Sequence, residues 1–340
     1  MGDILHALPA VTALRQLHPG WVIDWVVEPA WCALLTADCA AANTTRGPAQ
    51  PVVDRLLPAS AKAWGRDPLG RSTRREIMNL RRVLRDGKYD VVLDLQGAVR
   101  SAALARMTGC RRRIGESRPR EWAARWLFTE RIATRGAHVI EQDVELASAV
   151  AGDELAAVAP WLPVDPGAES WCDQLLAGSG KPAVLLNPGA GWGAKRWPVE
   201  RYGSVARALA GRGFTVLVNG GPGEESLVQA IQAQSGGTAH PFNSTLAQLI
   251  AVTRRVVLVI AGDTGPLHLA CALGRPVVGI YGPTDPARNG PFGTRSRVLR
   301  SPESVRDHRR RREPESGLLT ITPEAVLQAA DELLSEERVA

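Results

Sequence analysis

The chain has 340 residues, 45% hydrophobic and 22% charged, a composition that fits two α/β domains and excludes a fibrous or disordered protein. No apolar run approaches the roughly 20 residues of a membrane span, and the start lacks a basic n-region, so a cytoplasmic protein is expected. A net charge of +6 and a pI near 9.4, with arginine clusters at Arg111–Arg113 and Arg309–Arg312, predict an anionic partner. With only 5% aromatics the sequence shows no stacking platform for nucleic acid. The cysteines Cys32, Cys39, Cys110, Cys172 and Cys271 form no C-x-x-C pair, which argues against a zinc site or a disulfide framework.

In chain order, Met1–Pro9 reads as a turn entering a helix to about His18, with Ile4, Leu8, Val11 and Leu14 on one face. Pro19-Gly20 ends it and Trp21–Val27 is predicted as a strand. A doubly wound domain places its central first strand before its first helix, and no residues here make that strand. The expectation is that the chain lacks its true beginning, about ten residues with a β-branched apolar run. A short strand is expected near Val52–Leu56, a basic loop over Arg66–Arg75, and an amphipathic helix over Glu76–Asp86. Tyr89–Leu95 reads as a buried parallel strand, Gln96-Gly97 as its turn, and Val99–Met107 as the returning helix. A polar loop, Glu116–Glu121, carries Arg118 and Arg120, and a helix near Val139–Ala151 closes the first half.

Pro160, Pro163 and Pro166 mark a linker. Beyond it strands are expected at Ala183–Leu186, Phe214–Val218, Val256–Ile260 and Val277–Tyr281, with helices at Pro198–Arg212, behind Glu225, at Leu246–Thr253 and at Leu267–Leu273. After Pro286 the chain is basic and Pro-rich. Thr322-Pro323-Glu324 then starts a last helix with Val326, Ala330, Leu333 and Leu334 inward.

Three turns of the second half end strands on one edge of a parallel sheet, so their polar residues should converge. The first holds Asn187, three small residues and Lys195, a point charge suited to a diphosphate, though it is not a P-loop. The second, Asn219–Glu224, offers Glu224 either to ribose hydroxyls or simply to solvent. In the third, Thr264 and Gly265 present backbone N–H groups at a helix N-terminus, a ready anion site. Asp263 beside them would repel phosphate and suits sugar hydroxyls; the alternative is that Asp263 and Thr264 merely cap the helix. His268 lies one turn beyond Thr264 on its face. In the first half, Asp3 at a helix start is either a base poised on an acceptor hydroxyl or a capping residue.

Several stretches together resemble glycosyltransferase family 9, the heptosyltransferases, most closely its type I branch of lipopolysaccharide core assembly. They are Met1–Pro9, Tyr89–Gly97, Lys195-Arg196-Trp197-Pro198 and, most specifically, Asp263–His268 with Tyr281–Asp285. The resemblance implies a GT-B fold: two Rossmann-like doubly wound α/β domains facing across a cleft. It divides the chain into an acceptor domain (1–160), a nucleotide-sugar domain (168–318) and a C-terminal helix (319–340) returning to the first domain. It implies ADP-L-glycero-β-D-manno-heptose as donor and a Kdo hydroxyl of Kdo-lipid A as acceptor, on the cytoplasmic face of the inner membrane. By the same resemblance Asp3 is the general base and the anomeric centre inverts. Asp263 contacts the heptose, Asn187 and His268 join the donor site, and Thr264 and Gly265 take the diphosphate with Lys195. Glu224 reaches the ribose, and Arg118 and Arg120 clamp the Kdo carboxylates. No cofactor or metal is implied. The competing readings are a GT-B enzyme with another donor or acceptor, an epimerase that needs no acceptor, and a non-catalytic nucleic-acid binder using the arginine clusters.

Overall fold

The computed structural model describes residues 1–40, 45–306 and 313–337, so the Arg309–Arg312 cluster lies outside the described residues. The chain divides into two units at Val164/Asp165. The first contains α1 (Gly2–Leu17), β1 (Asp24–Val27), β2 (Arg55–Pro58), α2 (Ala61–Trp64), α3 (Arg71–Asp86), β3 (Val92–Asp94), α4 (Val99–Met107), β4 (Arg113–Glu116), β5 (Glu130–Ile132) and α5 (Val139–Ala151). The second contains α6 (Pro166–Leu176), β6 (Ala183–Asn187), α7 (Val199–Gly211), β7 (Thr215–Asn219), α8 (Glu225–Gln234), β8 (Ala239–Phe242), α9 (Leu246–Arg255), β9 (Leu258–Gly262), α10 (Gly265–Ala272), β10 (Val277–Tyr281), α11 (Pro286–Asn289), β11 (Ser296–Arg300) and α12 (Pro323–Glu337).

The second unit is one parallel six-stranded sheet in the order β11-β10-β9-β6-β7-β8. Its first strand is central and the chain winds outward to either side, the Rossmann order. Every residue of β6, β9 and β10 is buried, as a sheet covered on both faces requires. One face holds Val184, Leu186, Val216 and Val218 under α7, α8 and α12. A second helix group, α6, α9 and α10, packs together.

The first unit holds its five strands in two parallel sheets, β1-β2 and β3-β4-β5, with no ladder joining them among the described residues. Helix α1 is buried from Leu5 to Arg15, and its Ala10 and Leu14 pack with Ile114 of β4 and Val144 and Ala147 of α5. The Arg15 side chain is 2% exposed. Its Nε donates to Val52 O at 2.8 Å and Nη2 to Asp54 Oδ2 at 2.5 Å, pairing that makes a buried guanidinium tolerable.

Several local expectations are corrected. The basic segment Arg66–Arg75 is not all loop: α3 begins at Arg71, because Thr73 starts a buried stripe continued by Leu80 and Leu84 while the arginines line the solvent face. The strand expected over Tyr89–Leu95 pairs only from Val92 to Asp94. Glu116 ends β4 rather than opening a loop. Pro166 belongs to α6, at whose first position its missing N–H costs nothing, with Asp165 capping Ala168 N at 3.0 Å. Strands β5, β8 and β11 are additions; β11, beyond Pro286, carries two arginines and reads as loop. Val326, Ala329, Ala330 and Leu333 of the last helix are part of the second unit's core.

Candidate active site

In an open parallel sheet the ligand crevice lies at the carboxyl ends of the strands where the winding reverses. Here that point lies between β6 and β9, paired in register from Val184↔Leu258 to Asn187↔Ala261. The residues leaving these strands are those singled out from sequence. Asn187, 4% exposed, keeps its Nδ2 buried without a hydrogen-bond partner. Such an orphaned donor is costly unless a ligand meets it.

The loop after β6 turns back over β9 and carries Lys195. The Lys195 ammonium makes a short hydrogen bond to Asp263 Oδ2 and a second, 3.3 Å, to the Asp263 carbonyl. It also lies 4.4 Å from the centroid of the Trp192 indole. On the other side, His268 Nε2 is 3.2 Å from Asp263 Oδ1. Burial by itself would raise the Asp263 carboxyl. The His268 hydrogen bond and the Lys195 charge outweigh it and hold that carboxyl well below the usual carboxylate range. An ionised carboxylate only accepts, so His268 must carry its proton on Nε2 in this contact.

Asp263 therefore does not cap α10. Nor does Thr264: it occupies the cap position, but its hydroxyl donates to Gly262 O at 3.2 Å and makes no cap bond. The capping alternative is thus not what these side chains do. Gly265 at N1 has no intrahelical acceptor for its N–H, and Pro266 has no N–H at all. The positive end of α10 is left for an anion.

The second loop meets the first. Glu224 accepts from Gly221 N at 2.8 Å and lies 3.9 Å from Arg196. A Cβ on Gly189 would sit 2.1 Å from Glu224 Oε2, so any larger residue there would push the Glu224 carboxylate aside. Asn187, Lys195, Glu224, Asp263, Thr264, Gly265 and His268 come from the end of β6, the loops after β6, β7 and β9, and the first turn of α10, all at the carboxyl edge of this sheet. Sequence reading gave no role to Trp192 or to Thr284, the latter inside the Tyr281–Asp285 stretch. The Trp192 Nε1 and the Thr284 Oγ1 are buried with no partner, in the loops after β6 and β10. An indole inside a run of small residues was the available signal for Trp192.

In the first unit, Asp3 makes no cap bond at the start of α1. Its Oδ2 accepts from Gln96 Nε2 at 3.0 Å and lies 3.5 Å from Arg120 Nη1. Gln96 is in the turn after β3 and Arg120 in the loop after β4. Gly97, at φ +63°, lets that loop close on the turn: a Cβ there would sit 3.0 Å from Arg120 N. Buried Asp94 holds the turn, accepting from Gln96 N and Gly97 N, both at 2.9 Å. Arg118 is exposed in the same loop and makes no hydrogen bond or ion pair among the described residues. The pattern of residues 1–6 did not point to Gln96 as the partner of Asp3.

Residues 77–318 match the family described as glycosyltransferase family 9 (heptosyltransferase). Lipopolysaccharide heptosyltransferase 1 of Escherichia coli K12 is 28% identical, covering 98% of this chain and 97% of that protein. Lipopolysaccharide heptosyltransferase 2 of Salmonella typhimurium is also 28% identical, covering 100% and 97%. The solved structure of the E. coli heptosyltransferase WaaC with ADP-2-deoxy-2-fluoro heptose superposes with a TM-score of 0.76 at 26% identity, covering 98% of this chain and 96% of that one. The fold class is accordingly GT-B, two Rossmann-like α/β units in one chain. On the match over most of its length, this chain belongs to glycosyltransferase family 9, the heptosyltransferases.

Proposed function

We propose that the chain transfers a heptose from ADP-L-glycero-β-D-manno-heptose to a Kdo hydroxyl of Kdo-lipid A in lipopolysaccharide core synthesis. The observation that carries the donor half is the ionised Asp263 held between Lys195 and His268 beside the uncapped start of α10. Asp263 is an acceptor for sugar hydroxyls, while the Gly265 N–H and the Lys195 charge favour the departing diphosphate, which is transition-state stabilisation by fixed dipoles and charge. The leaving ADP needs no metal in this reading. The relative solved with an ADP-heptose analogue supports the donor class.

The acceptor half rests on Asp3. As general base it removes the proton of the attacking hydroxyl, and attack opposite the leaving ADP inverts the anomeric centre. Gln96 and Arg120 orient its carboxylate by contact with Oδ2, and Arg118 and Arg120 suit acidic sugars through their forked donors. No helix among the described residues is long and apolar enough to cross a membrane. A lipid-linked acceptor therefore implies peripheral attachment at the cytoplasmic face of the inner membrane. The test is ADP release from ADP-heptose with and without Kdo-lipid A, set against UDP- and GDP-sugars, with the product anomer assigned by NMR. Release that does not depend on acceptor, or preference for another nucleotide, overturns the reading. Equal identity to a type 2 relative favours a second reading, transfer to a core that already bears a heptose, and a heptosylated acceptor added to the same assay separates the two.

A further inference from the structure

The first unit carries a pair of exposed indoles to which the reaction proposed above assigns no role. Residues Trp122–Leu127 form a 3-10 turn after the Arg118–Arg120 loop. Ala124 and Phe128 anchor it in a small core with Ala102 of α4, and Phe128 packs so closely on Gly115 that a Cβ there would lie 2.4 Å from its ring. The turn is therefore a rigid mount. From it Trp122 and Trp126 project outward, 62% and 60% exposed, in an edge-to-face pair with centroids 5.6 Å apart. Arg125 sits over both rings at 5.5 Å, and Arg131 over the Trp126 ring at 5.6 Å.

Two features say what this surface meets. First, its cations are unneutralised: neither Arg125 nor Arg131 pairs with a carboxylate among the described residues, and Arg125 Nε is buried without a partner. The nearby acids are engaged elsewhere, Glu121 with Val99 N at 2.8 Å and Glu130 with Arg112 at 2.9 Å. Second, Arg125 lies over a face of each indole, which disfavours stacking on bases or sugars. Exposed indoles and anion-seeking guanidiniums together match the headgroup layer of a membrane, where Trp rings settle and arginine meets phosphate.

We propose that the Trp122–Arg125–Trp126 surface docks the first unit on an anionic lipid bilayer. The surface stands on its own geometry; only its use in presenting a lipid-linked acceptor rests on the function proposed above. The full chain is sedimented with phosphatidylcholine vesicles with and without phosphatidylglycerol, neither containing acceptor. Wild type pellets with the anionic vesicles only. W122S/W126S and, separately, R125Q, which leaves both rings in place, weaken that binding at least about tenfold. W161S, at an exposed indole elsewhere on the unit, does not. Both docking variants keep the wild-type unfolding midpoint and their transfer to a delipidated acceptor. Wild type that stays in solution, or variants that pellet as wild type does, overturn the proposal. So does a selective loss of RNA binding in the variants without loss of lipid binding. Failure of transfer in wild type with normal vesicle binding would instead overturn the reaction and leave the surface standing.

Discussion

Both units are built from parallel strands, but the second joins six in one ladder while the first holds five in sheets of two and three. In the second unit the backbone places the site: strand ends at β6, β7 and β9 set Asn187, Glu224 and Asp263 on one edge. In the first unit side chains join what the ladder does not. Tyr89, just ahead of β3, donates through its hydroxyl to Asp24 Oδ2 of β1 at 2.7 Å, and Arg55 of β2 holds the same carboxylate at 2.5 Å. Arg15 ties α1 to Val52 and Asp54 beside β2. The difference teaches that the second unit is stabilised by apolar burial under a continuous sheet. The first unit depends more on a few polar contacts.

The contrast can be broken first at the chemistry. Asp3→Asn should lower transfer by about 10² to 10⁴-fold, the usual worth of a general base, with ADP binding by the second unit unchanged in calorimetry. Next, Trp197→Ala should destabilise by about 3–5 kcal/mol in denaturant unfolding, because this indole is buried on Tyr202 and donates to Ile321 O at 3.0 Å. An unfolding transition of the first unit that moved equally would show that the two are not separately stabilised. Arg15→Met should cost the first unit about 3 kcal/mol, since it leaves the buried Val52 carbonyl without this donor and takes one guanidinium from Asp54, which keeps Arg46 and Ile23 N; hydrogen exchange in α1 and β1 reads it out.

The pH dependence sharpens the second half of the comparison. The Asp263 carboxyl is depressed in the folded protein, so its contribution to stability is present above the unfolded value of about 3.9. That contribution is lost as the pH falls below it toward the lower folded value. Unfolding midpoints of wild type and Asp263→Asn should therefore converge on acidification below about pH 4, whereas parallel curves would refute the ion pair. Smallest of all, Tyr89→Phe should cost about 1 kcal/mol, one hydrogen bond, visible as faster exchange in β3.

Much of the second unit was legible because its signals are local. Val277–Tyr281 is an apolar run that forms β10, and the helices expected at Pro198–Arg212 and Leu246–Thr253 are found at Val199–Gly211 and Leu246–Arg255. The N-terminal half was read less well where composition misled. Arginines over Arg71–Arg75 read as loop because their charge hides a helix whose buried face has only one residue per turn there. Strand β5 is three residues long, too short to show a period. The candidate residues at the strand ends could be picked out from sequence, but not their partners: nothing in the chain order says that Lys195 meets Asp263 across 68 positions or that Gln96 meets Asp3 across 93.

By itself the sequence determined the strand–helix alternation of the second unit, the anion-ready start of α10 and the family, because each resides in contiguous residues whose spacing or motif survives without a fold. Tertiary structure alone decided that Asp263 pairs with Lys195 and His268, that Thr264 makes no cap bond, and which core receives α12. It also decided whether a surface indole pair has cations beside it. Capping, pairing and burial depend on what approaches from elsewhere in the chain, and the free energy of a charge such as Asp263 is set by those neighbours rather than by its own position.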